Sequence, residues 1–141
     1  MLTALTIKDL AVVRQLDIEF EQGLTVLTGE TGAGKSILIG ALGLALGDRA
    51  DSSMVRSGCD KASVTASIDI SKLPKIRRLF DDNELDYQDD CILRRVVSAD
   101  GRSRAYCNAT PIPVQLLKQI GEQIVDIHAQ HAQQSLLRTS T

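Results

Sequence analysis

Alternating apolar and polar side chains predict two strands at the start of the chain. Residues 2–9 alternate along their length, and residues 12–20 place Leu16, Ile18 and Phe20 at every second position. Successive side chains of a strand point to opposite faces of its sheet, so each segment has an apolar face and a polar face. Both segments are therefore predicted to be half-buried strands.

Two more strongly apolar segments follow. Residues 24–28 form a short run rich in β-branched side chains, which predicts a buried strand. Ser36 to Leu46 predicts a helix that is apolar on nearly every side, with Gly47 as its C-cap. A helix of this composition is expected to lie buried between layers.

The rest of the chain predicts shorter elements. Residues 48–58 are polar and predict a surface loop with one helical turn. Beyond this loop the pattern predicts a strand over 62–70 and then a helix over 72–80 with Ser71 as its N-cap. A hairpin of strands 91–97 and 102–108 follows, with Asp100-Gly101 at its turn. The last predicted elements are a helix over 114–120, interrupted by Gly121, and a strand over 124–128.

A glycine-rich motif with the spacing of a phosphate-binding loop lies between the buried strand and the apolar helix. Its residues are Gly29, Glu30, Thr31, Gly32, Ala33, Gly34, Lys35 and Ser36. Glycines allow backbone N–H groups to wrap phosphate, while Lys35 is expected to reach the β- and γ-phosphates and Ser36 to ligate Mg²⁺. The order of strand, loop and helix also points the positive end of the helix dipole at the phosphates. The motif predicts a nucleoside triphosphate site.

Composition is that of one globular domain. The chain has 141 residues, 43% of them hydrophobic, and no apolar run of the roughly 18 residues that a membrane span needs. Its start lacks the basic and continuously apolar stretches of a signal peptide, so a soluble, cytoplasmic protein is expected. Sixteen basic and eighteen acidic residues give a net charge of −2, so any contact with a nucleic acid requires a local basic patch.

The predicted hairpin carries a candidate patch of this kind. Its arginines are Arg94, Arg95, Arg102 and Arg104. They are suited to contact a phosphate backbone, or alternatively to protect an exposed strand edge by charge, and the sequence leaves both interpretations open.

Metal and thiol chemistry is weakly indicated. His128 and His131 could share a helical face, but no third ligand stands at a suitable spacing, so a zinc site is not predicted. The acidic residues 81–90 lack the glycine and terminal glutamate of an EF-hand loop and are predicted to be a solvated connector. The cysteines expected to be buried free thiols, with no assigned function, are Cys59, Cys91 and Cys107.

Several segments together resemble the N-terminal part of the RecN family of bacterial DNA repair proteins, which belong with the SMC-like ATPases. The segments are Leu5-Thr6-Ile7-Lys8, residues 29–37, residues 41–47, Asp100-Gly101-Arg102-Ser103-Arg104 and residues 127–134. The resemblance implies an α/β P-loop NTPase head of the ABC/SMC type, of which residues 1–141 form the N-terminal lobe, with a mixed sheet, flanking helices and a β-hairpin.

The same resemblance implies ATP and Mg²⁺ as cofactors, and DNA with double-strand breaks as the target of the whole protein. Heads of this family dimerise with ATP sandwiched between two copies, and they complete the site with a Leu-Ser-Gly-Gly signature and a strand ending in Asp-Glu from their C-terminal lobe. Neither element occurs here. The chain is thus expected to be a truncated piece that binds ATP but does not hydrolyse it alone, and that has its own C-terminal lobe and a second head as partners.

Matching to the family's glutamine loop implies that Gln130, with Gln134 as second choice, positions Mg²⁺ or the attacking water. The segment Ile124-Val125-Asp126 resembles the end of a Walker B strand, but Ile127 stands where hydrolysing members place Glu, so Asp126 is not assigned to magnesium.

Other positions depart from the family pattern or match it loosely. Ala129 and Gln133 stand where Gly and His are expected, and Ala109 follows Asn108 where Gly is expected. The arginine that links nucleotide state to DNA in related heads is expected to be Arg49 or Arg56.

Two alternatives belong to other functional classes. A self-contained P-loop kinase or other NTPase unrelated to DNA would need its own lid or base-recognition motifs; Asp-x-x-Gly and Asn-Lys-x-Asp are missing, and the arginine-rich hairpin only loosely resembles a lid. A purely structural lobe that docks against the C-terminal lobe would expose an apolar face.

Overall fold

The computed structural model describes residues 2–19 and 32–124. Its strands are β1 (Leu2–Leu10), β2 (Val13–Glu19), β3 (Lys61–Asp69), β4 (Asp90–Ser98), β5 (Ser103–Cys107) and β6 (Thr110–Ile112). Its helices are α1 (Gly32–Ala45), α2 (Pro74–Asp82) and α3 (residues 114–124), with a short 3₁₀ turn at Ser52–Met54. The strand predicted over residues 24–28 lies outside the described residues.

The described strands form one six-stranded sheet in the order β2-β1-β3-β4-β5-β6. Each strand is antiparallel to its neighbours. The hairpin predicted around Asp100-Gly101 is β4–β5, in which Val97 pairs with Ser103, and Gly101 has the φ angle of +93° that a glycine tolerates best. The predicted α/β class with flanking helices and a β-hairpin is confirmed.

Helices cover one face of this sheet, which we call the covered face. Along β3, Ala62, Val64, Ala66 and Ile68 are buried, whereas the residues between them are partly exposed. Ala66 is paired with Leu5 on one side and Leu93 on the other, so the buried side chains of three strands share this face. The opposite side, which we call the open face, is covered by no element of the described chain.

The core beneath the helices has two parts. α1 packs over the half of the covered face formed by β1 and β3, where its Ala41, Leu44 and Ala45 are buried. α2 and α3 pack over the other half, where Phe80 of α2 and Leu117 of α3 share a buried cluster with Leu93 of β4. The ring of Phe80 meets that of Tyr87 edge to face at 5.6 Å. The larger of the two clusters thus joins both later helices to the hairpin.

α1 ends in the turn that Gly47 was predicted to cap. Gly47 has φ +101°, its N–H donates to Leu44 O at 3.2 Å, and the N–H of Asp48 donates to Gly43 O at 2.9 Å. These two bonds form a Schellman motif with glycine at the left-handed position. The expectation of complete burial was wrong, because Ile39 is 70% exposed and Gly40 beside it is also exposed. α1 buries one side against the sheet and leaves the other uncovered.

The N-cap predicted for α2 was wrong. The helix begins at Pro74, with Leu73 at the cap position and no side-chain cap. Ser71 instead donates its hydroxyl and its backbone N–H to Asp69 Oδ1 at 2.7 and 2.9 Å. These two hydrogen bonds lower the pKa of Asp69 below its ordinary value of 3.8. They favour the folded chain above that pH, and this contribution is lost as pH falls through the pKa of folded Asp69.

The prediction that Gly121 interrupts the third helix was also wrong, since α3 runs through it to Ile124. A Cβ at Gly121 would collide with the carbonyl oxygen of Leu46 and lie 2.7 Å from its Cβ. The glycine therefore serves close helix packing and does not end the helix. The strand predicted from Ile124 begins inside α3, and its other residues lie outside the described part of the chain.

The thiol prediction is partly confirmed. Cys91 and Cys107 are free and buried, with their Sγ atoms 3.7 Å apart, whereas Cys59 is free but only half-buried. The hydrogen bond to Cys107, together with burial, raises the pKa of the Cys91 thiol.

Within residues 2–19 and 32–124, no group of three or more His, Cys, Asp or Glu side chains could hold a metal ion. None of the helices described here has the length and apolar character to span a bilayer.

Candidate nucleotide-binding site

The phosphate-loop motif runs directly into α1. Its last five residues, from Gly32 to Ser36, form the start of the helix, while Gly29, Glu30 and Thr31 lie outside the described residues. The first N–H groups of a helix have no partner inside it, and the helix dipole makes this end positive. No acidic residue occurs in the first turn of α1. The start of α1 therefore has the electrostatic character of an anion-binding site.

The C-terminal end of the same helix is held by α3. A Cβ at Gly47 would lie 2.7 Å from the backbone N of Lys118, and Gly121 packs against Leu46. Two glycines thus allow the turn after α1 and the backbone of α3 to approach more closely than side chains would permit. This contact fixes the far end of the phosphate-loop helix against the second half of the domain.

A buried arginine holds that end from the sheet side. Arg95 of β4 is 2% exposed. Its Nη1 donates to the carbonyl oxygens of Leu44 and Asp48 at 3.2 and 2.9 Å, and its Nη2 donates to the Ser103 hydroxyl of β5 at 3.1 Å. Burial lowers the pKa of the Arg95 guanidinium below its ordinary value, and the nearby Asp48 carboxylate opposes that shift. The guanidinium remains charged at neutral pH.

The prediction of a single patch of four arginines was therefore wrong. Arg95 points to the covered face and is buried, whereas Arg94 and Arg104 are exposed on the open face. The Arg94 guanidinium lies 5.9 Å from the centre of the Tyr106 ring, on the neighbouring strand. Arg102 lies at the hairpin turn, 3.7 Å from Asp100. Strand alternation separates residues that are adjacent in sequence.

Sequence reasoning grouped Arg95 with the other arginines of the hairpin, although the signal for its burial was present. Residues 91, 93, 95 and 97 share one face of β4, and the other three are Cys, Leu and Val. In an otherwise apolar stripe of a strand, a charged residue is either exposed at an edge or paired in the interior. Only the tertiary position of α1 identifies its partners.

The loop between α1 and β3 contains the two arginines expected to link nucleotide and DNA. Arg49 is exposed, and Arg56 is half-buried, with its backbone N–H donating to Asp9 O at 2.8 Å. The loop includes the predicted helical turn as the 3₁₀ turn at Ser52–Met54, capped by the Asp51 side chain. The assignment of either arginine stays a prediction.

The other candidate site residues lie outside the described residues. They are Gln130, Gln134, Asp126, His128 and His131, together with the family departures Ala129 and Gln133. Their roles remain predictions from the sequence.

Solved structures with a similar fold include SMC heads. A structure from work on ATP-driven dimerisation and DNA-stimulated activation of SMC ATPases has a TM-score of 0.69 and 22% identity, and the match covers 86% of this chain and 78% of that one. The SMC head domain from Thermotoga maritima has a TM-score of 0.62 and 18% identity, over 84% of this chain and 41% of that one. Fold and phosphate-loop motif thus define a P-loop domain of the SMC head type.

The chain belongs to the AAA domain family, whose sequence profile matches residues 4–138. It is 50% identical to the DNA repair protein RecN of Xylella fastidiosa (strain Temecula1) over 97% of this chain and 25% of that protein. For the RecN of Vibrio cholerae serotype O1 the identity is 47%, over 98% of this chain and 25% of that protein. The chain thus spans about a quarter of the length of these curated relatives, and the similarity is to the N-terminal portion of the RecN head.

Proposed function

We propose that this chain is the ATP-binding N-terminal lobe, residues 1–141, of a RecN-like ATPase that acts in the repair of DNA double-strand breaks. The observation that carries the proposal is the phosphate-loop motif continuing into the N-terminal turn of α1, within a chain that matches RecN relatives over nearly its whole length. A self-contained kinase would share the loop but gives no reason for similarity across the remaining elements. We therefore do not favour that alternative.

The residues present fit Mg-ATP. Backbone N–H groups at the start of α1 and the Lys35 ammonium would hold the phosphates, and Ser36 would ligate Mg²⁺, with Gln130 as a further ligand. The ion would neutralise charge on the phosphate oxygens. The Leu-Ser-Gly-Gly signature and the Asp-Glu strand end are absent from the sequence. Hydrolysis then requires a C-terminal lobe and a second head.

The exposed side of α1 is consistent with a contact to a partner lobe. Ile39 is 70% exposed on a helix whose mid-section is otherwise almost wholly apolar. An apolar side chain left in water beside an exposed glycine is a surface suited to packing against another lobe. We assign this side of α1 to the contact with the C-terminal lobe, and the protein to the cytoplasm, at the nucleoid.

The distribution of charge on the open face favours a contact with DNA. Alternation along β1, β3, β4 and β5 places Lys8, Lys61, Arg94 and Arg104 on this face, toward one end of the strands. All four are exposed. The acidic residues of the same face are Asp17, which lies in the cross-strand row of Arg94, and Glu19, Asp69 and Asp90, which lie toward the other end. A chain of net negative charge thus concentrates its positive charge where a phosphate backbone could lie.

Titration of Mg-ATP into the purified protein by calorimetry tests the proposed nucleotide site. Lys35→Ala is expected to abolish measurable binding, because it removes the only ammonium of the phosphate-loop motif. Lys72→Ala removes an exposed lysine just before α2 and should bind as the parent does. If Lys35→Ala bound Mg-ATP as tightly as the parent, the assignment would be wrong.

A further inference from the structure

The burial of the charged Arg95 side chain in this core is energetically unfavourable by itself. Among residues 2–19 and 37–124 it is the only charged side chain that is buried, and its Nε atom has no hydrogen-bond partner. Burial of a charge is unfavourable unless it is paired and hydrogen-bonded, and an aliphatic side chain at the same position would continue the stripe of Leu93 and Val97. A specific task at this position would account for that cost.

The hydrogen bonds of Arg95 link the end of α1 to the sheet, in addition to capping the helix. The Schellman turn already satisfies the carbonyl groups of Gly43 and Leu44 through the N–H groups of Asp48 and Gly47. Arg95 adds a second donor to Leu44 O, bonds Asp48 O beyond the helix, and reaches Ser103 on the neighbouring strand. One rigid, planar guanidinium therefore joins β4, β5 and the end of α1.

The helix so held is the one that begins inside the phosphate-loop motif. α1 has 14 residues, a length of about 21 Å at 1.5 Å per residue. Because a helix of this length moves as a stiff rod, a shift at its C-terminal end also moves its N-terminal turn. Small displacements of groups that position a ligand are known to have large effects on binding and catalysis.

We propose that Arg95 is a positioning residue for nucleotide binding: it fixes the C-terminal end of α1 to the β4–β5 hairpin and so sets the position of the phosphate loop at the other end. This inference rests on the proposed function of the loop. Arg95 touches no nucleotide and acts through the helix. Ser103 is its partner on the hairpin.

The test compares Mg-ATP affinity, measured by calorimetry, with stability, measured by urea unfolding. Arg95→Met removes the charge and every hydrogen bond while keeping a long side chain. Its Mg-ATP affinity is expected to fall about 5-fold or more, at the lower end of couplings between separate sites. Arg95→Lys should recover part of the affinity, because an ammonium can bond the α1 carbonyl groups but cannot reproduce the fork toward Ser103. Ser103→Ala should give a smaller loss than Arg95→Met.

A control of similar destabilisation separates positioning from general loosening. Phe80→Leu removes buried volume under α2 without touching any hydrogen bond of Arg95, and should reduce stability while leaving Mg-ATP affinity close to that of the parent. Arg95 variants that are folded and bind like the parent, or that lose no more affinity than Phe80→Leu, would overturn the inference. If Arg95→Met fails to fold, unchanged affinity in both Arg95→Lys and Ser103→Ala has the same meaning. A parent that binds no Mg-ATP would instead reject the proposed function, and this inference with it.

Discussion

Asn108 and Ala109 form the tight turn between β5 and β6, and both have positive φ angles, of 51° and 70°. Cys107 pairs with Thr110 across them, so they are the two central residues of a type I′ turn. Asn suits its position, since its Oδ1 accepts from Ile92 N–H at 2.9 Å and its Nδ2 donates to Asp86 O at 3.2 Å. The methyl side chain of Ala109 can form no such hydrogen bonds. The glycine expected here from the family pattern is the residue that this backbone favours.

Replacing Ala109 with Gly should therefore stabilise the protein. A left-handed conformation costs a residue with a Cβ about 1 kcal/mol, and glycine avoids most of that cost. Urea unfolding of Ala109→Gly is expected to show a gain of about this size. Ala99→Gly, in the β4–β5 turn and outside the left-handed region, should lose about 0.5 kcal/mol through chain entropy alone. Equal effects of the two substitutions would contradict the strain assigned to Ala109.

Individual residues were the level at which the sequence was least informative. The Asn-Ala pair was not recognised as a turn because alanine rarely adopts positive φ. The cap of α2 was misassigned because Ser71 has a competing partner, Asp69, two residues earlier. In both cases a side chain with a known local preference is governed by a neighbour that the hydrophobic pattern does not reveal.

At the scale of elements, the glycines of α1 and α3 have opposite roles. Gly121 lies against Leu46 so closely that any Cβ would require the helices to separate. Gly40 is exposed on α1, and nothing lies within 4 Å of the Cβ it would carry. Helix propensity alone disfavours both residues relative to alanine by about 1 kcal/mol. Packing should decide between them.

Gly121→Ala is predicted to destabilise the protein by about 1–3 kcal/mol, the range of overpacked cores, despite the better helix propensity of alanine. Gly40→Ala, its matched control, should stabilise by up to about 1 kcal/mol. Unfolding midpoints of the two variants in urea check both signs. A stabilising Gly121→Ala would show that α1 and α3 do not approach as closely as the structure indicates.

Most elements were predictable because their apolar positions recur with a clear period. β1, β3, β4 and β5 follow the period-two pattern, and their ends fall within a few residues of the prediction. β6 was missed because it has only three residues and contains Pro111. The break predicted at Gly121 failed because the reason for that glycine is a contact with a residue 75 positions earlier in the chain, at Leu46.

At the scale of the whole molecule, the phosphate-loop motif and the fold class followed from sequence, but the distribution of the hairpin arginines between the two faces of the sheet did not. The hairpin arginines illustrate the difference. Their clustering in sequence predicted one patch, whereas the sheet sends Arg95 to the core and leaves Arg94 and Arg104 on the open face with Lys8 and Lys61. Which face a strand buries is set by the elements packed on it, and the register then decides which side chains are buried and which are exposed.

If the open face binds DNA, Arg94 and Arg104 should contribute through phosphate contacts and not through base recognition. Arg94→Ala and Arg104→Ala are each expected to weaken binding of duplex DNA of any sequence and to reduce the slope of log affinity against log salt by about 1. Arg78→Ala removes an exposed arginine of α2, which packs over the covered face, and should change neither quantity. Fluorescence anisotropy over a series of salt concentrations measures both. Because charge on a phosphate-binding surface acts independently of sequence, a loss confined to one DNA sequence, or parent-like binding by both variants, would place the DNA contact elsewhere in the protein.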